Sequence, residues 1–187
     1  MNVPNLLSLF RILLIPLLMV IFYLPYNWVH WATAGIFFVA GVTDWLDGYL
    51  ARKLNQGTAF GAFIDPVADK LMVVIVLVLL VERIQDVWFT IPAIVIIWRE
   101  LLISALREWM AELGKRTSVA VSNMGKVKTT LQMVAIFVLL LASSNQYPLL
   151  TDIGIVTLYI AAILTLWSMV IYLRAAAPEF KLSNQSD

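Results

Sequence analysis

Long apolar stretches alternate with short polar breaks along the whole chain. A helix needs about 20 apolar residues to cross the hydrocarbon core of a bilayer, and the apolar stretches approach or exceed that length. Turn-forming residues such as Pro25 and Gly57 mark the breaks between them. The pattern therefore predicts an all-α integral membrane protein with six transmembrane helices. The predicted helices are 6–24, 31–52, 60–82, 88–112, 125–143 and 152–174.

The connections between these helices are short, so the 187 residues are expected to form a single transmembrane domain, 1–187. The composition agrees, since 61% of the residues are hydrophobic and 13% are charged, whereas soluble proteins carry about 25% charge. The net charge of +1 gives no reason to expect a nucleic-acid partner. Cysteine is absent and His30 is the single histidine. A catalytic base or metal site must therefore be built mainly from carboxylates.

Basic residues lie on alternate connections and predict the orientation of the chain. Arg83 is the only basic residue of the three loops 24–30, 83–88 and 144–151. Because cytoplasmic segments of membrane proteins are enriched in lysine and arginine, both termini are expected in the cytoplasm. The basic residues on that side are Arg52, Lys53, Lys115, Arg116, Lys126, Lys128 and Lys181.

Polar residues recur at every third position near the start of the first predicted helix. Asn5, Ser8 and Arg11 lie close to one helix face. Arg11 is too deep to reach the interface from the helix end, unless the first helix begins along the membrane surface. We therefore expect an interfacial start to this helix. Ordinary capping together with snorkelling of Arg11 is the alternative interpretation.

Four aspartates lie where the second predicted helix ends and the third begins. Asp44 and Asp47 are three residues apart and Asp65 and Asp69 are four apart, so each pair shares a helix face. The short connection 52–60 brings the two pairs together. A charged group within a membrane helix costs at least about 2.5 kcal/mol and indicates function. Four converging carboxylates would also repel one another without a counter-charge.

Hard divalent cations balance such a group of oxygen ligands. Mg²⁺ or Mn²⁺ is therefore the expected cofactor, and two ions suit four carboxylates better than one. Gly48 and Gly61 lie beside the aspartates and leave room for a ligand, and Arg52 is suited to binding a phosphate. The alternative is structural, with Asp65 capping a helix and the other aspartates pairing with Arg52 and Lys53.

A second group of charged residues is basic and belongs to the fourth and fifth helices. Arg99 and Arg107, each followed by a glutamate as a possible partner, lie about 80° apart around a helix and can flank one cavity. Lys126 and Lys128 begin the fifth helix. These four residues are suited to a second anionic phosphate group. Snorkelling is the alternative for Arg107 and the two lysines.

The pattern D-x-x-D-G-x-x-A-R, eight further residues and then G-x-x-x-D-x-x-x-D runs from Asp44 to Asp69. It resembles the signature of the CDP-alcohol phosphotransferase family at every fixed position. The segments RELLISALREWMAELGKRTSVAVS and GKVKTTLQMVA look like bacterial members that use glycerol 3-phosphate. The resemblance implies a six-helix enzyme of the bacterial cytoplasmic membrane, usually a homodimer, whose active site faces the cytoplasm. It would transfer a phosphatidyl group from CDP-diacylglycerol to sn-glycerol 3-phosphate and release CMP, the committed step of phosphatidylglycerol and cardiolipin synthesis.

The family's residue roles carry over position by position. Asp44, Asp47 and Asp65 would ligate metal, and Asp69 would lie near the metals and act as general base. Direct in-line transfer and a covalent aspartyl intermediate both stay open. The residues implied to bind CDP-diacylglycerol are Asn5, Ser8, Gly48, Arg52 and Gly61, and those implied to bind the acceptor phosphate are Arg99, Arg107, Lys126 and Lys128.

Other acceptors and another class of function are the alternatives. Serine, inositol phosphate or phosphatidylglycerol could replace glycerol 3-phosphate, although the basic residues favour a phosphorylated acceptor over serine. A cation-coupled transporter would also carry membrane carboxylates. The acidic cluster lies at one interface, however, and only the peripheral Glu82 and Asp86 lie toward the other. A purely structural scaffold would leave the four aspartates unexplained.

Overall fold

The computed structural model describes residues 3–54, 59–112, 123–142 and 147–183, and side chains next to the gaps between these ranges are not described. The described residues form six helices, with no strand among them. The all-α prediction is therefore confirmed. The helices are α1 (Val3–Phe22), α2 (Val29–Leu54), α3 (Ala59–Ile84), α4 (Val87–Glu112), α5 (Asn123–Leu141) and α6 (Pro148–Ser183).

Each helix covers one predicted apolar stretch, and α6 departs furthest from its predicted bounds. It begins at Pro148, a residue that is well tolerated in the first helical turn. It continues to Ser183, past the point where the apolar stretch ends, because a helical backbone can continue without an apolar face. α3 already begins at Ala59, so Asp65 lies inside a helix. The interpretation of Asp65 as a helix cap is therefore wrong.

Within the described part of the chain, two helical segments are long and apolar enough to cross a membrane, Val87–Ala111 and Pro148–Arg174. Leu6–Phe22 and Val127–Leu141 are apolar but shorter. Many large apolar side chains also point outward, for example Trp31 at 68% exposure and Ile94 at 59%. Soluble monomers rarely expose apolar surface on this scale, so the outer surface is typical of contact with lipid.

The interior is an apolar core to which all six helices contribute fully buried side chains. The most extensive contacts are between α5 and α6 and between α1 and α2. One fully buried core residue from each helix illustrates the packing, namely Leu18, Phe37, Val76, Ile96, Ile136 and Leu158.

Charged and polar side chains gather at the two ends of this core. The carboxyl-terminal parts of α2, α4 and α6 lie beside the amino-terminal parts of α3 and α5. We call this the site end of the bundle. At the other end, Arg83 Nη1 lies 3.1 Å from His30 Nδ1 and the Arg83 guanidinium stacks on the Phe22 ring at 3.7 Å. His30 is about 25 Å along α2 from Asp47.

Candidate active site

Asp44 and Asp47 share one buried arginine at the site end. Arg11 Nη1 lies 2.5 Å from Asp44 Oδ1, and Arg11 Nη2 donates to Asp47 Oδ2. Arg11 and Asp47 are 1% and 4% exposed, whereas the Asp44 side chain is 45% exposed. The two carboxylates, predicted to share a helix face, therefore meet at one cationic centre. The interpretation of Arg11 as a snorkelling residue is wrong, because its guanidinium points into the bundle.

Asp69 approaches the same place from α3. It is close enough to interact electrostatically with Asp44, Arg11 and Glu100. Asp69 also lines one cavity together with Asp44 and a second, small one together with Arg11. Three of the four motif aspartates are thus brought together.

The side chains of several predicted site residues lie outside the described part of the chain, so their contacts stay predictions. Without Asp65, the described residues contain no group of three or more carboxylate or imidazole side chains placed to hold a metal ion. Among the predicted donor-binding residues that are described, Ser8 is 1% exposed on the face of α1 that carries Arg11, and Gly48 is half-buried next to Asp47. The predicted residues whose side chains are not described are Asn5, Arg52, Gly61, Asp65 and Lys126.

A cavity of about 450 Å³ opens beside Asp44 and Asp69, between α2 and α5. Its polar end is formed by these two aspartates with Thr129 and Thr130, and the remainder is mainly apolar. A Cβ atom added at Gly41 would lie 3.2 Å from Met133 Cε. The absence of a side chain at Gly41 therefore lets Met133 of α5 pack closely against α2. The apolar lining residues are Phe37, Phe38, Val42, Trp45, Met133, Val134 and Phe137.

The outer edge of the cavity faces the surroundings of the bundle rather than its core. Phe38 is 59% exposed, Trp45 is 67% exposed and Val134 is 49% exposed. An apolar opening of this kind joins the carboxylates to the exposed apolar surface of α2 and α5. The cavity can therefore admit a molecule with a charged head and an apolar chain.

The two predicted arginines of α4 are held by residues of α6. Arg99 is 3% exposed, and its Nη2 donates to Ser168 Oγ at 2.9 Å. Arg107 Nη2 donates to the Tyr172 hydroxyl at 3.1 Å, and the Arg107 guanidinium lies 5.3 Å from the centre of the Tyr172 ring. Ser168 and Tyr172 are one helical turn apart on α6. Their spacing thus supports both arginines from one helix.

Lys128 and Glu100 connect this basic cluster to the aspartates. Arg99 Nη1 forms an ion pair with Glu100 Oε1 at 2.9 Å, which confirms Glu100 as its partner. Lys128 is 6% exposed and interacts electrostatically with Arg99, Glu100 and Arg107. Its burial rules out a snorkelling role. Because Glu100 also interacts with Asp69, the acidic and basic clusters form one continuous polar region.

Several residues that contribute to this region had no role assigned from the sequence. Arg11 was recognisable by its depth in an apolar helix, but its partners depend on how α1 packs on α2. Lys70 donates to Ser104 Oγ and so joins α3 to α4 beside Asp69. The roles of Ser168 and Tyr172 could not be recognised in the sequence, because isolated hydroxyl groups are common in apolar helices.

The helical bundle, the motif aspartates and the adjoining basic cluster agree with the family resemblance. Residues 1–167 match the CDP-alcohol phosphatidyltransferase family, and the chain belongs to that family. Proteins named CDP-diacylglycerol–glycerol-3-phosphate 3-phosphatidyltransferase are similar to it along nearly their whole length. The protein from Shigella flexneri serotype 5b (strain 8401) is 58% identical over 175 residues, which cover 94% of each chain. Those from Salmonella choleraesuis (strain SC-B67) and Escherichia coli (strain K12) are each 57% identical over 177 residues, again covering 94% of each chain.

Proposed function

We propose that this protein transfers the phosphatidyl group of CDP-diacylglycerol to sn-glycerol 3-phosphate, forming phosphatidylglycerophosphate and releasing CMP. The observation that carries the proposal is the identity of 57–58% to relatives named for this reaction. The geometry supports it, since a carboxylate centre, an apolar cavity and a basic cluster adjoin one another. These three parts suit a diphosphate, a lipid chain and a phosphorylated acceptor.

The carboxylate centre is suited to Mg²⁺ or Mn²⁺, with two ions as the proposed number. Its ligands are oxygens, which hard cations prefer. The Arg11 guanidinium between Asp44 and Asp47 supports this fit, because it demonstrates that both carboxylates can face one cation. Asp69 and Asp65 would complete the set. The four motif aspartates would hold these ions, and the chemistry supplied at the site would be neutralisation of the charge of a diphosphate and of its leaving group.

The donor lipid would bind with its diphosphate at the carboxylates and an acyl chain in the cavity between α2 and α5. The lining of the cavity changes from Asp44 and Asp69 to aromatic and aliphatic residues, as this amphiphile requires. Small and polar residues near the motif would contact the cytidine diphosphate. The proposed donor-binding residues are Asn5, Ser8, Gly48, Arg52 and Gly61.

The acceptor's phosphate would bind to the basic cluster. Arg99, Arg107 and Lys128 lie together, and Lys126 is proposed as a fourth contact. Guanidinium groups match phosphate through paired hydrogen bonds. Since Glu100 lies between this cluster and Asp69, an acceptor held by its phosphate would place its hydroxyl groups toward the carboxylates.

Asp69 is proposed as the general base. In a direct displacement the oxygen of the acceptor hydroxyl attacks the phosphorus that carries the lipid, and the hydroxyl proton passes to Asp69. The bond between this phosphorus and the CMP phosphate oxygen breaks, and CMP leaves with the electron pair of that bond. Asp69 is suited to this role because it lies next to Asp44 and lines the cavity. His30 cannot serve, since it contacts Arg83 at the opposite end of the bundle.

The proposed setting is the bacterial cytoplasmic membrane. We propose that all six helices cross the membrane, that α1 begins along its surface, and that both termini and the site end face the cytoplasm. The distribution of basic residues supports this orientation. The outward-facing apolar side chains support contact with lipid. A homodimer is proposed from the family resemblance.

The decisive experiment gives the purified protein CDP-diacylglycerol, Mg²⁺ or Mn²⁺, and one acceptor at a time, and measures CMP release. We expect release with sn-glycerol 3-phosphate, and none with serine, inositol phosphate or phosphatidylglycerol. Asp47→Asn should abolish it, whereas Asp152→Asn, an exposed aspartate near the start of α6, should not. Faster release with another acceptor would contradict the proposed substrate. Ion-coupled uptake into proteoliposomes without CMP release would instead support a transporter.

A further inference from the structure

We propose that Arg11 is a resident counter-cation of the carboxylate centre, which balances Asp44 and Asp47 in the metal-free protein and must be displaced before a divalent ion can bind them. The inference rests on the proposed metal site of the transferase. It concerns a residue of α1 outside the aspartate motif of α2 and α3.

The contacts of Arg11 indicate direct competition with a metal ion. Its two terminal nitrogens each contact a different carboxylate, Nη1 at Asp44 and Nη2 at Asp47. The guanidinium group is planar and rigid, so it holds one oxygen of each carboxylate against the same cation. A divalent ion shared by these carboxylates would need the same oxygen lone pairs. The Arg11 guanidinium and a divalent ion bound to the same two carboxylates would also repel each other.

Burial explains why a resident cation is needed. Asp47 is 4% exposed, and Asp69 lies close to Asp44. Carboxylates crowded together in this way repel one another. Arg11 compensates the charge of Asp44 and Asp47 through its two contacts in the metal-free protein.

One guanidinium nitrogen of Arg11 lacks a hydrogen-bond acceptor among the described residues, which suits a side chain that must move. Its Nε is buried, and among the described residues no acceptor bonds to it. Arg83, at the opposite end of the bundle, contacts His30 and the Phe22 carbonyl and stacks on the Phe22 ring. Arg83 thus has a settled structural position, and it provides a matched control.

The test measures Mn²⁺ binding to the purified protein without substrate, by electron paramagnetic resonance, alongside thermal unfolding with and without Mn²⁺. In Arg11→Met the Kd for Mn²⁺ should fall about tenfold or more, which is the change expected when about 1.4 kcal/mol of competition is removed. The unfolding midpoint without metal should fall, and saturating Mn²⁺ should raise it by more than in the wild type. Arg83→Met should leave the Kd for Mn²⁺ unchanged.

Two further variants keep the test decisive if Arg11→Met does not fold. Arg11→Lys keeps one charge but cannot bridge two carboxylates through a fork, so its Kd should lie below that of the wild type. Arg11→Met combined with Asp47→Asn removes both buried partners and should restore the metal-free unfolding midpoint toward the wild-type value.

An unchanged or higher Kd in folded Arg11→Met or Arg11→Lys would overturn the proposal, because Arg11 would then organise the ligands rather than compete for them. Equal tightening in Arg83→Met would overturn it too, by showing a general charge effect. Failure of the proposed function is a separate result, namely Mn²⁺ binding without CMP release from the wild type.

Discussion

Replacing Ser168 by alanine should weaken the capture of glycerol 3-phosphate while leaving the donor site intact. Ser168 Oγ donates to the Thr165 carbonyl and accepts from Arg99 Nη2, both at 2.9 Å. It therefore fixes the orientation of a guanidinium that we propose to bind the acceptor phosphate. Ser168 is a positioning residue, since it acts on the acceptor through Arg99.

The size of the effect follows from the hydrogen bonds that Arg99 retains. Its Nε is already buried without a partner among the described residues, and Nη1 is bound to Glu100. Removing the Ser168 hydroxyl leaves Nη2 without this acceptor inside the bundle. A hydrogen bond to a charged group contributes about 1.5–3 kcal/mol. If acceptor binding loses the lower of these free energies because the guanidinium is no longer oriented, KM for glycerol 3-phosphate rises about tenfold.

The assay is CMP release at saturating CDP-diacylglycerol over a range of glycerol 3-phosphate concentrations. We expect a higher KM for the acceptor, a kcat within about twofold of the wild type, and an unchanged KM for the donor. Thr165→Val is the matched control. Thr165 is fully buried one turn away on α6, and its hydroxyl has no partner among the described residues. Replacing that hydroxyl by a methyl group should change neither constant.

The reasoning would be refuted by a lower kcat with an unchanged acceptor KM, because that result indicates a folding or chemical defect. It would also be refuted if Thr165→Val raised the acceptor KM as much as Ser168→Ala does. Tightened acceptor binding would reverse the inferred role of Ser168.

Three further variants test other parts of the structure. Asp69→Asn should lower kcat at least about 100-fold if Asp69 is the general base, measured as CMP release at saturating substrates, and turnover equal to the wild type would disprove the assignment. Gly154→Ala should lower the free energy of unfolding in detergent by about 1–3 kcal/mol, because its new Cβ would lie 2.6 Å from Leu139 Cγ. Gly35→Ala is its control, since nothing lies within 4 Å of a Cβ there, and equal losses would contradict the steric explanation. Gln85→Gly should raise the unfolding free energy by up to about 1 kcal/mol, because glycine adopts the positive φ of 50° at this position without strain. A lower unfolding midpoint would show that the contacts of the Gln85 side chain stabilise the protein by more than the backbone strain destabilises it.

The sequence predicted the helices well because the length of an apolar stretch and the breaks beside it are local properties. It also predicted that Asp44 and Asp47 share a face, since three-residue spacing fixes this on any helix. The end of α6 could not be predicted from the same signal. Hydropathy changes after Arg174, but the backbone hydrogen bonds of the helix continue to Ser183.

The partners of the charged residues were harder to predict because they depend on packing between helices. Arg11 pairs with residues of α2 that lie more than 30 positions further along the chain. Arg99 finds one partner beside it in Glu100 and another in Ser168, 69 positions away. The local partner could be proposed from the sequence. The distant one required the α4–α6 contact.

The apolar cavity between α2 and α5 has a practical consequence for purification. Its exposed edge and its lining of Phe38, Trp45 and Phe137 do not distinguish a lipid chain from the alkyl tail of a detergent. A solubilising detergent can therefore occupy the same space and act as an unintended inhibitor. The apparent KM for CDP-diacylglycerol should then depend on detergent tail length and concentration, and nanodiscs free of detergent should give the lower value.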